Sequence, residues 1–130
     1  MPISIANDQD RPVVSIVSSG NARRVEMLAA YHSLREEVRR HRARAVLIDT
    51  RDMDVVASPL YASDLIDAFA AIMEKPIPVA FLPPIAWTDA HHTAAWKMIR
   101  KFEHTTNMFN SRALALEWLD IQLAKEMEPA

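Results

Sequence analysis

The residues of this chain best equipped for chemistry stand in one stretch, Asp49-Thr50-Arg51-Asp52-Met53-Asp54, with Ser58-Pro59 just beyond it. Asp49, Asp52 and Asp54 fall together in what reads as a loop, and such carboxylates can hold Mg²⁺ through water. The competing explanation is a solvated turn, where aspartate is favoured because its side chain bonds the local backbone. Arg51 is placed to neutralise part of the cluster. Ser58 offers a hydroxyl that can accept a phosphoryl group. It is also a good helix N-cap, with Pro59 at the first helical position, where its missing N–H costs little. A phosphate at that helix N-terminus would be locally stabilised and would change the adjoining surface.

Other candidate residues point away from metal or cofactor chemistry. His91 and His92 are neighbours, so on a helix they project about 100° apart and are badly placed to share an ion. His32, His41 and His104 are scattered, and there is no cysteine. Structural zinc has little to work with, and no metal or cofactor is expected. The single glycine, Gly20, leaves no glycine-rich phosphate loop. Trp87, Trp96 and Tyr61 are candidates to line an apolar pocket, but most of the aromatic side chains fit a core by periodicity. Trp96 lies off the Ala95–Met98–Ile99–Phe102 stripe, so it is expected at the surface, where a tryptophan often marks a partner site. The basic run Arg35, Arg39, Arg40, His41, Arg42 and Arg44 is interrupted by Glu36 and Glu37. With a net charge of −2 it reads as a solvated helix end favoured by the helix dipole, and no nucleic acid is expected.

The elements that position these residues follow from hydrophobic spacing. The 130 residues, half of them apolar and a quarter charged, suit one globular domain. The start, MPISIANDQD, has neither a basic nor an apolar leader region. The longest apolar run, from Pro76 to Trp87, is too short to span a bilayer. A soluble, cytoplasmic chain is the expectation. Ile3–Ala6 and Val13–Val17 read as a hairpin, with Pro12 at the start of the second strand. A helix from about Ala22 to His41 carries Met27, Leu28, Tyr31, Leu34 and Val38 on one side. Val46-Leu47-Ile48, closed by Asp49, is the pattern of a strand buried on both faces. Ser58 to Glu74 reads as a helix, stopped by Lys75-Pro76. Ile77–Leu82 is a further strand. A helix capped by Thr88 or Asp89 runs to about Phe102. Thr106–Phe109 is a short strand, and Ser111 caps a last helix to about Lys125. The order β-β-α-β-α-β-α-β-α predicts an α/β fold: a mostly parallel sheet of about five strands with four helices and the N-terminal hairpin at its edge.

In these residues the chain resembles the STAS-like (SpoIIAA-like) family of bacterial anti-sigma-factor antagonists. Val13 to Gly20 is similar to that family's early strand ending in glycine. Val46-Leu47-Ile48-Asp49 is similar to its central strand, and Phe109 with Ala115, Trp118 and Leu119 resembles its closing strand and helix. In the antagonists the loop after the central strand carries Asp-Ser-Ser-Gly with a phosphorylated serine. Here that segment is Ala57-Ser58-Pro59-Leu60, so only Ser58 matches. The resemblance implies the fold and a non-catalytic binding or regulatory role, with a protein partner, a second copy of the chain included. Ser58, Asp49, Asp52, Asp54 and Pro59 are the residues expected at the contact surface. The alternative is a carrier or sensor of a small apolar, lipid-like ligand, with Trp87 and Trp96 at its mouth. A third reading is metal-dependent phosphoryl transfer. Asp52-Met53-Asp54-Val55-Val56 resembles the DxDx[TV] motif of aspartyl phosphotransferases, but Asp49-Thr50-Arg51 stand where a hydrophobic strand should precede it.

Overall fold

Five strands form one sheet in strictly sequential order, β1 (Ile3–Asn7), β2 (Val13–Gly20), β3 (Ala45–Met53), β4 (Val79–Leu82) and β5 (Thr106–Met108). β1 and β2 pair antiparallel as the edge hairpin, and β2 through β5 are parallel. Four helices complete the α/β fold: α1 (Arg24–His41), α2 (Pro59–Ile72), α3 (Asp89–Ile99) and α4 (Arg112–Met127), with a short 3₁₀ turn at Arg100–Phe102. The computed structural model describes residues 3–21, 23–54, 59–73, 77–102 and 105–127; for 59–63, 102, 126 and 127 the description extends to the backbone.

The strand order decides where the helices lie. When each parallel connection steps the same way across a sheet, right-handed crossovers put every connecting helix on one face. The core follows suit. Val14, Ile16, Val46, Ile48 and Val79 pack with Met27, Tyr31 and Leu34 of α1 and Phe69 of α2. Further along the same face, Ala95 and Ile99 of α3 meet Met108 and Phe81. Alternation sends Val13, Ala45, Leu47, Ala80 and Leu82 to the opposite face, where Ala115, Leu119 and Leu123 of α4 cover them. Two charged contacts tie outlying parts down. Arg11 in the hairpin turn bonds both carboxylate oxygens of Asp120 on α4, at 2.8 and 3.2 Å, and Arg24 of α1 meets Asp64 of α2 at 2.8 Å.

β3 is longer than its apolar run. Asp49 and Asp52 lie on the strand, which runs on to Met53, and only Asp54 falls beyond it. β4 starts two residues later than Ile77, and α3 gives way to the 3₁₀ turn after Ile99. α1 opens at Arg24 behind Arg23, whose backbone N–H donates to Glu26 at 3.3 Å, the return half of a capping box.

Candidate functional site

The parallel strands all end at one edge of the sheet, and the helices that follow them begin there. The centre of this edge is the end of β3, where β2 and β3 fall out of register. Val17 pairs with Asp49 and Ser19 with Asp52, so β3 carries one residue more than its partner. This is a bulge, and its chemistry lies in the side chains. Asp49 accepts from the Arg51 backbone N–H at 3.1 Å, a bond a regular ladder would give to the neighbouring strand. Arg51 then folds back over the same carboxylate, Nε to Oδ1 at 3.1 Å and Nη2 to Oδ2 at 2.9 Å. Between them Thr50 donates its hydroxyl to the Leu82 carbonyl at 2.8 Å. Asp49 is only 8% exposed. Burial alone pushes its carboxyl up, but the side-chain, backbone and charge interactions with Arg51, helped by the charge of Arg112, outweigh that and hold it below the usual carboxylate range. Arg51 neutralises one member of the cluster, Asp49, in keeping with the partial neutralisation its position in sequence implies.

Three donors of Arg51 already bond the Asp49 carboxylate, and the positive charge of that guanidinium repels a cation from it. Among the described residues no group of three His, Asp or Glu side chains is placed to hold a metal ion. Asp52 and Asp54 are exposed. The Asp54 N–H is fixed to the Gly20 carbonyl at 2.8 Å, and Gly20 adopts a left-handed φ of 64° there. Ser58 lies outside the described residues. Pro59 opens α2 at this edge, and Tyr61 lies in the first turn of that helix.

Next to β3, the loop after β4 supplies what sequence reasoning missed. The Ile85 N–H donates to the Arg51 carbonyl at 3.2 Å, which seats the Pro83-Pro84-Ile85 segment on the bulge. Ile85 is 79% exposed, the most exposed large apolar side chain among the described residues. Two residues on, Trp87 is half-buried. Its ring stacks on His91 (5.9 Å between centroids, 17° between planes) and meets Phe81 and His92 edge-on at 5.7 and 5.4 Å. Trp96 is exposed on the outer side of α3, at 42%, as its position off the buried stripe predicts. His92 and Trp96 are four residues apart and so share a helix face.

α3 begins with an unusual reciprocal cap. The His91 N–H reaches the Thr88 hydroxyl at 3.4 Å, and the Thr88 N–H donates to Nδ1 of His91 at 3.2 Å. His91 thus fills the third helical position that glutamate or glutamine usually takes. Thr88→Ala removes the hydroxyl and is expected to lower stability by about 1 kcal/mol, read as a lower urea midpoint. An unchanged midpoint would mean that the His91 ring alone closes the helix end.

No protein-family model, curated protein or solved structure matches the chain. None of the helices described is long and apolar enough to cross a membrane.

Proposed function

We propose that the protein is a non-catalytic binding or regulatory module of the STAS-like kind, working in a bacterial cytoplasm and meeting a protein partner through the edge where its parallel strands end. The observation that carries this reading is Ile85: an exposed apolar side chain whose backbone is bonded to the β3 bulge, at the strand end that also carries the exposed Asp52 and Asp54. An apolar anchor on a fixed backbone, rimmed by charge, suits protein recognition, because little entropy is lost on docking. Within this reading Asp49 is a support, spent on Arg51, while Asp52 and Asp54 supply the polar rim. A phosphoryl group on Ser58 would add charge to the same surface.

The alternative is a carrier of a small apolar ligand with Trp87 and Trp96 at its mouth. What favours it is the exposure of Trp96; the Trp87 ring is already packed on Phe81, His91 and His92.

A photo-crosslinking residue installed at Ile85 tests the main reading in the native host, with Ala124 on the outer side of α4 as the control position. A discrete protein adduct at Ile85 and none at Ala124 is expected. An adduct of twice the chain mass assigns a second copy as partner. No adduct at Ile85, or the same adducts at both positions, overturns the reading.

A further inference from the structure

The sheet is bounded by β1 on one flank and β5 on the other, and the two flanks are finished differently. A strand at the side of a sheet turns every second N–H and C=O away from its neighbour. Those groups pair with another chain unless something blocks them. β5 is three residues long. The Thr105 carbonyl and the Phe109 N–H bond to β4 and the residue before it, so by alternation Met108 faces outward. Its N–H is taken by the side chain of the preceding Asn107 at 2.9 Å. That flank is closed.

β1 carries no such device among the described residues. Its five residues, Ile-Ser-Ile-Ala-Asn, include no charge and no proline. Which of its groups point outward follows from its register on β2. The Asp8 N–H donates to the Val13 carbonyl at 2.9 Å, and hydrogen-bonded pairs alternate along an antiparallel ladder. The same register runs on through Ala6↔Ser15 and Ser4↔Val17, which are therefore the bonded pairs. The N–H and C=O groups of Ile3, Ile5 and Asn7 point away from β2. The side chains leave them open to approach: Ser4 and Ala6 are small and exposed on one face, while Ile3 and Ile5 lie half-buried against the core on the other.

We propose that β1 pairs antiparallel with β1 of a second copy about a two-fold axis through Ile5, joining two sheets into one. The strand is its own complement in that register. Ile3 stands opposite Asn7, Ser4 opposite Ala6 and Ile5 opposite Ile5, so every outward group finds a partner and no charge meets a like charge. A shift either way leaves part of the strand unpaired. The facing Ile5 side chains carry the apolar core beneath α1 from one copy into the other. Because the β5 flank is closed and the contact is isologous, assembly stops at two copies. β1 lies two strands from the β3 bulge that seats Ile85, so this contact stands or falls independently of the partner surface.

One strand pair is a small interface, so a dissociation constant on the order of 100 µM or tighter is expected. Sedimentation velocity of the full chain, up to about five times that concentration, reads it. Asn7→Pro removes an outward N–H without touching the ladder to β2, a place where a flanking strand tolerates proline. Its dissociation constant should rise at least about tenfold, the worth of roughly one hydrogen-bonded pair. The melting temperature of the dilute monomer should stay within a few degrees. The chain has no cysteine, so disulfide formation can read the register. Ser4 of one copy and Ala6 of the other form a non-hydrogen-bonded pair, about 4.5 Å between Cα atoms and within disulfide reach. Ser4→Cys mixed with Ala6→Cys should therefore cross-link under mild oxidation. Either variant alone, at the roughly 7–8 Å of a diagonal pair, should not. Five results would each overturn the proposal: a monomer at the highest concentration, growth beyond a dimer, undiminished affinity in Asn7→Pro, no cross-link in the mixture, or a cross-link in either cysteine variant alone.

Discussion

Replacing Arg51 with alanine is expected to lower stability at neutral pH by about 3 kcal/mol, and the loss should shrink as the solution is acidified. The guanidinium covers both oxygens of a carboxylate that is 11% exposed, while its own end still reaches solvent at 32%. Removing it leaves the buried charge with the backbone N–H of residue 51 and the more distant Arg112. In the native protein the Asp49 carboxyl is held below its ordinary range. Its contribution is therefore complete above the unfolded value of about 3.9 and fades as pH falls through the lower folded value. In the alanine variant the sign reverses. Burial then dominates, the carboxyl is pushed up, and its ionisation opposes folding at neutral pH until protons relieve it on the way down to about pH 4. Urea denaturation at a series of pH values measures the gap between the two proteins. Adding Asp49→Asn to the variant should recover part of the loss at neutral pH, because it removes the stranded charge and keeps an acceptor for the backbone N–H. A gap that stays constant from neutral pH to about pH 4 would mean that only the stem of Arg51 matters, through packing.

The same pair shows what could be read in the residues and what could not. Val46-Leu47-Ile48 announces a buried strand because every side chain is apolar. The strand continues through Asp49-Thr50-Arg51-Asp52 because each buried polar group there finds a partner: the carboxylate its arginine, the threonine hydroxyl a carbonyl of β4. Hydropathy alone places a turn at such residues. A signal was nonetheless present, since opposite charges two positions apart face the same way on a strand and can pair there. The residue order also carried the topology, because sequential parallel strands force α1, α2 and α3 onto one face and leave the other to α4.

Less of the functional surface was legible. Ile85 reads as one more apolar residue in a proline-flanked run, and its exposure depends on the bond to a carbonyl 34 positions earlier in the chain. The cavity that Val38 and Ala43 share with Met73 and Ile77 brings the end of α1 against the segment before β4, contacts that no local window contains. Arg42, which closes α1 in the left-handed conformation at φ 52°, gave no warning at all, because such a closure is ordinarily announced by glycine or asparagine. His91 was equally silent as a capping residue, since the third helical position is normally searched for glutamate or glutamine.

Truncating Leu119 to alanine is expected to cost about 3–4 kcal/mol and to loosen α4 before the rest of the molecule. Leu119 is fully buried against Leu47, Ala80 and Leu82, together with Ala115 and Leu123. Among the described residues α4 is the only helix packed on this face of the sheet. The opposite face has three helices to close over a defect, whereas a void here can be relieved only by movement of α4 itself. Two of its other anchors are small or peripheral: Ala115 has little surface to bury, and the Arg11–Asp120 pair lies in solvent, where such pairs contribute little. Amide hydrogen exchange should therefore show protection lost first along α4 and then in the sheet face beneath it, while the amides of α1 keep theirs. Ile121→Ala on the same helix is the control: Ile121 is half exposed, so stability should change by no more than about 0.5 kcal/mol. If Leu119→Ala instead lowers protection equally in α1 and α4, the two faces open together, and the single-helix face is not the weak side of the fold.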